Sequence, residues 1–133
     1  MPLARRDRGP SAPGFRLRGV RAMTRDPGLE SQLLDDLDHP DGIESRPMFG
    51  GLCHMLNGHM LCAAREGRAM FRVGKEAEPE ALLFPGTERM SQSGRDKPGF
   101  VWLSGPSLAD DTIRRGLARM ALAHVSTFPP KDR

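Results

Sequence analysis

The sequence has 133 residues, a formal net charge of +3 and only two cysteines. This length suits one domain, and two cysteines are too few for a disulfide scaffold. The sequence has no run of about 18 apolar residues, so no membrane span is expected. The N-terminus lacks the apolar segment of a secretory signal. A soluble cytoplasmic protein is therefore expected.

The basic charge is concentrated in the first 22 residues, "MPLARRDRGPSAPGFRLRGVRA". This segment carries six arginines and one aspartate, a net charge of +5, whereas residues 23–133 carry a net charge of −2. Its proline, glycine and arginine content without an apolar period predicts a disordered tail at 1–22 followed by a single domain at 23–133. The tail has three interpretations: an arm that touches phosphates or acidic partners, a targeting segment, or an over-extended reading frame with Met23 as the true start. The third interpretation, or a passive arm, is preferred.

The first element of the domain is a helix at about 26–37. Asp26 can cap it and Pro27 suits its first turn. Its apolar positions recur at helical spacing: Leu29, Leu33, Leu34 and Leu37. "DHPDG" at 38–42 is expected to end it, and Asp35 and Asp36 are interpreted as solvated positions.

A three-stranded antiparallel meander is predicted at 48–73. Asn57-Gly58 between two apolar runs is a strong hairpin signal, because a type I′ turn needs positive φ at both positions. Glu66-Gly67 is interpreted as a second tight turn. Gly50-Gly51 precedes the first strand, where glycine allows a bulge or a close backbone approach.

The remaining elements are weaker. A short helix is predicted at 74–84, a weak strand at 87–92, a long turn at 93–99 and a buried strand at 100–104. A last helix is expected after Gly105-Pro106, with Ser107 and Asp110 as its capping box. Its apolar stripe is Ile113, Leu117, Met120, Ala121, Val125 and Phe128. The predicted fold class is therefore α+β, an antiparallel sheet of about five strands packed with an N-terminal, a C-terminal and one short middle helix.

The register of the two hairpins decides where the cysteines and histidines point. A two-residue turn at Asn57-Gly58 would pair Cys53 with Cys62, and the second turn would pair Cys62 with Phe71. One face would then be apolar: Cys53, Met55, Met60, Cys62, Ala64, Ala69, Phe71 and Val73. The other would be mixed: Leu52, His54, Leu56, His59, Leu61, Ala63, Arg65, Arg68, Met70 and Arg72.

This alternation separates the cysteines from the histidines, so a metal site in the hairpin is not favoured. Opposed cysteines could form a strained cross-strand disulfide, but two buried, inert thiols are the preferred interpretation. No catalytic triad, phosphate-binding loop or acid–base cluster is recognisable, so neither an enzyme nor a cofactor is expected. The mixed face predicts a partner-binding surface with these residues: His54, His59, Arg65, Arg68 and Arg72.

Four segments give the sequence a family resemblance: "RPMFGGLCHMLNGHMLC" (46–62), "MFRVG" (70–74), "GRDKPGFVW" (94–102) and "FPPK" (128–131). Together they resemble the TfoX N-terminal domain family of the TfoX/Sxy regulators of bacterial competence, over about Leu29 to Lys131. The shared positions are interpreted as structural: Met48, Phe49, Gly50, Gly51, Asn57, Gly58 and Gly74.

The resemblance implies a small α+β domain of a cytoplasmic protein with no established enzymatic chemistry. Fuller family members carry a C-terminal helical domain, whereas this sequence ends at Arg133, so a stand-alone form with a task of its own is expected. The family has no catalytic or metal motif, and no such residues are carried over.

Three hypotheses result. The first is a non-enzymatic regulatory or adaptor domain that contacts a protein partner or forms a homodimer. The second is a nucleic-acid-associated protein that uses the 1–22 arm, and the third is a thiol-redox or metal protein that uses Cys53 and Cys62.

Overall fold

The computed structural model describes residues 25–48, 50–92 and 94–130. The arginine-rich segment 1–22 and Phe49 of the family resemblance therefore lie outside the described residues. The helices are α1 Pro27–Asp36, α2 Glu78–Ala81 and α3 Asp111–Val125, with a 3₁₀ helix at Gly105–Ala109. The strands are β1 Ile43–Met48, β2 Gly51–Leu56, β3 His59–Arg65, β4 Arg68–Arg72, β5 Thr87–Gln92 and β6 Arg95–Ser104.

The described strands form one antiparallel sheet in the order β1-β2-β3-β4-β6-β5. Leucines of α1 and the apolar stripe of α3 pack with the apolar side chains of one sheet face into a single core. The α+β class is confirmed, with six strands instead of about five. No helix in the described ranges is long and apolar enough to cross a membrane.

The additional strand is β1, at the edge of the sheet. It pairs with β2 from Ile43–Leu56 to Met48–Gly51. Its sequence, "IESRPM", has three polar residues and contains Pro47, and both features obscure a strand signal. Proline is tolerated here because an edge strand leaves one side without ladder hydrogen bonds.

The long turn predicted at 93–99 was wrong, because β6 begins at Arg95 and pairs with β5 through Gln92–Arg95 and Ser91–Asp96. The register then shifts before the Arg89–Val101 pair, so Pro98 lies in an irregular stretch of β6. Proline within a sheet is tolerated at such irregularities. The predicted 74–84 helix is likewise shorter, at Glu78–Ala81.

Both predicted tight turns are present. Asn57 and Gly58 have φ of 52° and 88°, as a type I′ turn requires. Arg65 pairs with Arg68 across the second turn, and the predicted Cys62–Phe71 and Ala64–Ala69 pairs are confirmed. Gly51 permits the expected close approach, because a Cβ there would lie 2.3 Å from the Ala64 carbonyl oxygen.

The predicted register between β2 and β3 was wrong beyond the turn. Met55 pairs with Met60 as expected, but His54 then pairs with Cys62, and Cys53 pairs with Ala63. Leu61 is thus an extra residue in β3, a β-bulge. Leu61 and Cys62 are both fully buried in the helix-side core, and every residue before the bulge changes face relative to the prediction.

The two long helices are joined by a buried ion pair. Arg114 on α3 donates from Nε to Asp36 Oδ2 on α1 at 2.8 Å, and their side chains are 3% and 1% exposed. Asp36 is therefore not the solvated residue that the sequence suggested. The predicted capping box also fails, since Asp110 itself caps α3 by accepting from the Ile113 amide at 3.1 Å.

Candidate interaction surface

The sheet face opposite the helices is apolar at its centre. The buried side chains of Cys53, Met55 and Met70 are not part of the helix-side core, so they lie on this other side. We call it the outer face; it comprises Met48, Cys53, Met55, Met60, Ala63, Arg65, Arg68, Met70, Met90, Lys97, Phe100 and Trp102. Five of the eight methionines of the chain are in this set.

A shallow hollow of about 170 Å³ lies in the middle of the outer face. Four methionines line it: Met48, Met60, Met70 and Met90. Phe100 and Trp102 of β6 contribute aromatic walls, and Trp102 pairs directly with Met70 across the strands. The hollow is thus built from flexible thioethers and rigid rings, with room for about one medium-sized apolar side chain.

Cationic side chains border this hollow. Arg65 and Lys97 line it directly, and the Arg68 guanidinium lies 3.8 Å from the centre of the Trp102 ring. A cation over an indole is held by the ring quadrupole, which fixes the position of Arg68. Farther out, Arg46 on β1 is paired with Glu44. By strand register Glu44 and Glu88 also lie on this face, opposite Met55 and Trp102. Arginine and lysine outnumber these carboxylates, so the outer face has an apolar centre and a predominantly positive border.

The structure corrects the placement of His54, which the sequence assigned to the partner-binding surface. His54 is 0% exposed and lies on the helix side. Its Nε2 donates to the Glu30 carbonyl at 2.9 Å, while Nδ1 accepts from Ser45 Oγ at 2.7 Å. Burial lowers the pKa of His54, so the neutral ring is favoured and serves as an internal connector between β1, β2 and α1.

His59 and Arg72 gather around a third residue, Phe128, at the end of the sheet. The His59 ring contacts Phe128 edge-on at 5.0 Å, and its Nε2 donates to the Pro129 carbonyl at 2.7 Å. The Arg72 guanidinium lies 4.9 Å from the Phe128 ring centre. Of the five predicted surface residues, only Arg65 and Arg68 border the hollow.

The two cysteines lie on opposite sides of the sheet. Cys53 lines the hollow and Cys62 belongs to the helix-side core, because the bulge at Leu61 intervenes. Both thiols are free. Burial raises the pKa of Cys53 to about 11, and it raises the pKa of Cys62 further. The predicted Cys53–Cys62 pairing was therefore wrong, and this arrangement disfavours the disulfide.

Neither alternative hypothesis gains support from the geometry. No group of three or more His, Cys, Asp or Glu side chains in residues 25–48, 50–92 and 94–130 is placed to hold a metal ion. The arm proposed for nucleic-acid contact lies outside the described residues.

Sequence reasoning missed the apolar character of the outer face. Met55, Met60 and Cys53 were assigned to the core because the hairpin was read without a bulge. The available signal was the repeated placement of methionine in strands, at Met60, Met70 and Met90.

Comparison with known proteins gives one result. The model of the TfoX N-terminal domain matches residues 32–125, which is more than two thirds of the chain. Neither the curated proteins nor the solved structures contain a significant match. The matched range extends from α1 to the end of α3 and contains all six described strands. The chain belongs to the TfoX N-terminal domain family.

Proposed function

We propose that this chain is a non-enzymatic regulatory or adaptor domain that acts by binding another protein on its outer face. The observation that carries the proposal is the methionine-lined hollow with its positive border. An antiparallel sheet with one solvated face normally places polar side chains on that face. Here the central strands place Cys53, Met60, Met70 and Trp102 there. Contiguous apolar patches with polar borders are typical of protein interaction sites.

Methionine is well suited to such a surface. Its unbranched, polarisable side chain adapts to different shapes, so surfaces rich in methionine can repack around a partner. Trp102 and the stacked Arg68 supply rigid contact area of the kind found in binding hot spots.

The charge around the hollow indicates the chemistry of the partner. Arg65, Arg68 and Lys97 would pair with carboxylates that flank an apolar anchor side chain. The segment 1–22 carries a net charge of +5, so it would be repelled. A second copy docked symmetrically would place like charges opposite each other. An acidic protein segment is therefore favoured over both.

Membership of the TfoX N-terminal domain family supports a regulatory setting for this contact. The proposal also keeps the predicted roles of Arg65 and Arg68. It leaves out His54, whose ring is buried and whose two nitrogens are already hydrogen-bonded.

Photo-crosslinking tests this proposal in cells that express the full chain. A benzoyl-phenylalanine is placed at Ala63, which lines the hollow, and in a matched control at Leu83, which is 82% exposed and lies outside it. We expect the probe at position 63 to crosslink to one protein, and mass spectrometry should find an acidic segment of that protein at the crosslink. The probe at position 83 should not crosslink to this protein.

Two results would overturn the proposal. Crosslinks from position 63 to this chain itself would indicate a homodimer on the outer face. The same set of crosslinked proteins from positions 63 and 83 would show that the hollow has no specific partner.

A further inference from the structure

A second concavity, of about 760 Å³, opens at the end of the sheet. We call it the end cleft; its principal residues are Arg72, Gly74, Lys75, Gly99, Phe100 and His124. One wall is the chain that leaves β4, another is the irregular part of β6, and α3 closes the third side. Its volume falls within the range of small-molecule sites, roughly 300–1,000 Å³.

Two glycines form the base of the end cleft. Gly74 and Gly99 have φ of 92° and 90°, and the amides of Val73 and Gly74 both donate to the Gly99 carbonyl, at 2.8 and 3.0 Å. A Cβ on Gly74 would lie 2.6 Å from Nδ1 of His124, so the imidazole lies directly against the glycine. Hydrogen bonds therefore hold the backbone at these two positions, and the absence of side chains on both glycines leaves the cleft open.

Arg72 is a partly buried cation without a carboxylate partner among the described residues. It forms one long hydrogen bond there, from Nη1 to the Met60 carbonyl at 3.4 Å. The centres of the Phe100 and Phe128 rings lie 5.5 and 4.9 Å from its guanidinium carbon. Burial lowers the pKa of Arg72. A guanidinium has five N–H donors, so most of them are unused within the described chain.

This state of Arg72 contrasts with that of two other arginines. The buried Arg114 is bound by Asp36 and Asp111, and the exposed Arg25 by Glu30. The nearby carboxylate of Glu78 is engaged elsewhere, since it accepts from the Gly99 amide at 2.7 Å and lies 3.7 Å from Arg89.

Two further side chains in the end cleft, like Arg72, have hydrogen-bond donors without a partner among the described residues. The His124 ring contacts Phe128 edge-on at 4.9 Å, and neither ring nitrogen has a hydrogen-bond partner in the described ranges. Lys75 is exposed and has no ion pair with any described residue. The acidic side chain that lines the cleft, Glu76, is itself exposed. Phe100 and Met120 provide apolar walls beside these donors.

We propose that the end cleft binds a small organic anion, a carboxylate or a phosphate ester attached to an apolar body. Arg72 and Lys75 pair with the anionic oxygens, which the planar guanidinium can contact through two parallel hydrogen bonds. His124 donates a further hydrogen bond, and Phe100 and Met120 contact the apolar body. The end cleft shares Phe100 with the outer face, but Arg72, Lys75 and His124 do not line the hollow, so failure of the anion site would leave the proposed function unaffected.

An NMR titration of the full chain with phenyl phosphate tests the proposal. Benzoate, inorganic phosphate and benzyl alcohol serve as comparison probes. We expect saturable shifts of the Gly74, Lys75 and Gly99 amides with phenyl phosphate or benzoate. Inorganic phosphate should bind at least threefold more weakly, and benzyl alcohol should give no saturable shift at these amides.

Variants locate the site. Arg72→Gln should weaken binding of the better organic anion about tenfold or more, because a charge-assisted pair is lost. Arg68→Gln is the matched control, since it lies two residues away on β4 and stacks on Trp102 outside the cleft. Lys75→Gln changes an exposed side chain, leaves the fold intact and should also weaken binding.

Three outcomes would overturn the proposal. The first is no saturable shift with either organic anion. The second is equal affinity of the Arg72→Gln and Arg68→Gln variants. The third is unchanged affinity in Lys75→Gln together with shifts centred on Trp102 instead of Gly74.

Discussion

His54 is a fully buried ionisable residue that joins α1 to the sheet. Its imidazole is fully buried, with the Glu30 carbonyl as acceptor on one side and the Ser45 hydroxyl as donor on the other. Burial disfavours the charged form of the ring, whereas the Ser45 hydroxyl can rotate to donate or to accept, so desolvation favours the neutral form. The residue therefore stabilises the packing of α1 on the sheet at neutral pH and opposes it when protonated.

The stability of the domain should consequently fall as pH decreases below neutrality. The pKa of His54 is lowered from its ordinary value of 6.5, so the unfolded chain binds this proton first. Stability from the buried neutral ring is present above about pH 6.5 and is lost as pH falls toward the folded-state pKa, at no more than about 1.4 kcal/mol per pH unit. Urea unfolding at pH 7.5 and 5.5 measures the change.

Two variants separate His54 from other groups. His54→Gln should be less stable at pH 7.5 and should show a smaller loss between the two pH values. His39→Gln removes an exposed histidine paired with Asp35 and should keep the wild-type loss. If His54→Gln lost as much stability between pH 7.5 and 5.5 as the wild type, His54 would not be the source of the pH dependence.

The two thiols should react slowly in the folded chain. A pKa near 11 instead of 9 lowers the thiolate fraction of Cys53 at neutral pH about a hundredfold, and Cys62 is buried deeper. Reaction with a disulfide reagent, followed by absorbance, should therefore accelerate at least about a hundredfold on unfolding in guanidinium. Equal rates in the folded and unfolded chain would show that a thiol is exposed and activated.

At the scale of elements, α1 and α3 are fixed to each other by Asp36 and Arg114. Arg114 also donates to the Leu108 carbonyl in the 3₁₀ helix, at 3.1 Å. One guanidinium therefore connects α1, α3 and the segment between β6 and α3. Removing Asp36 leaves the buried Arg114 with the exposed Asp111 as its ion-pair partner. A fully uncompensated buried charge costs about 3–5 kcal/mol, which is the upper limit here.

Asp36→Ala should accordingly lower the free energy of unfolding by more than about 1 kcal/mol and by up to about 3–5 kcal/mol in urea titrations. Asp35→Ala is the matched control: its exposed pair with His39 should contribute less than about 1 kcal/mol. The double variant Asp36→Leu with Arg114→Met should recover much of the loss, since the unpaired charge is gone. Equal losses from the Asp35 and Asp36 variants would contradict the role of the buried pair.

The elements also show how far the sequence could be interpreted. Asn57-Gly58 and Glu66-Gly67 were predictable, because few residues tolerate the positive φ that tight turns require. The bulge was not, since Leu61 and Cys62 are both apolar and either could face the core. Which residues form the outer face depends on that one-residue shift, because it places Met60, Met55 and Cys53 on the side away from the helices.

For the whole molecule, the two faces of the sheet differ in how they are covered. The helices bury one face, while the opposite face presents methionines, Trp102 and a positive border without a covering element in the described part of the chain. A partner that is apolar at its centre and acidic at its edge would complete this arrangement. The apolar centre and the charge of this face are the observations behind the proposed protein contact.

The most direct measurement compares the affinity of two charge-reversal variants for the protein crosslinked through position 63. Arg68→Glu reverses a charge on the outer face, and Arg119→Glu reverses an exposed charge on α3, with the same change in net charge. We expect at least about a tenfold loss of affinity for Arg68→Glu and no change for Arg119→Glu, by calorimetry of folded variants. Equal affinities of the two variants would contradict binding at the outer face.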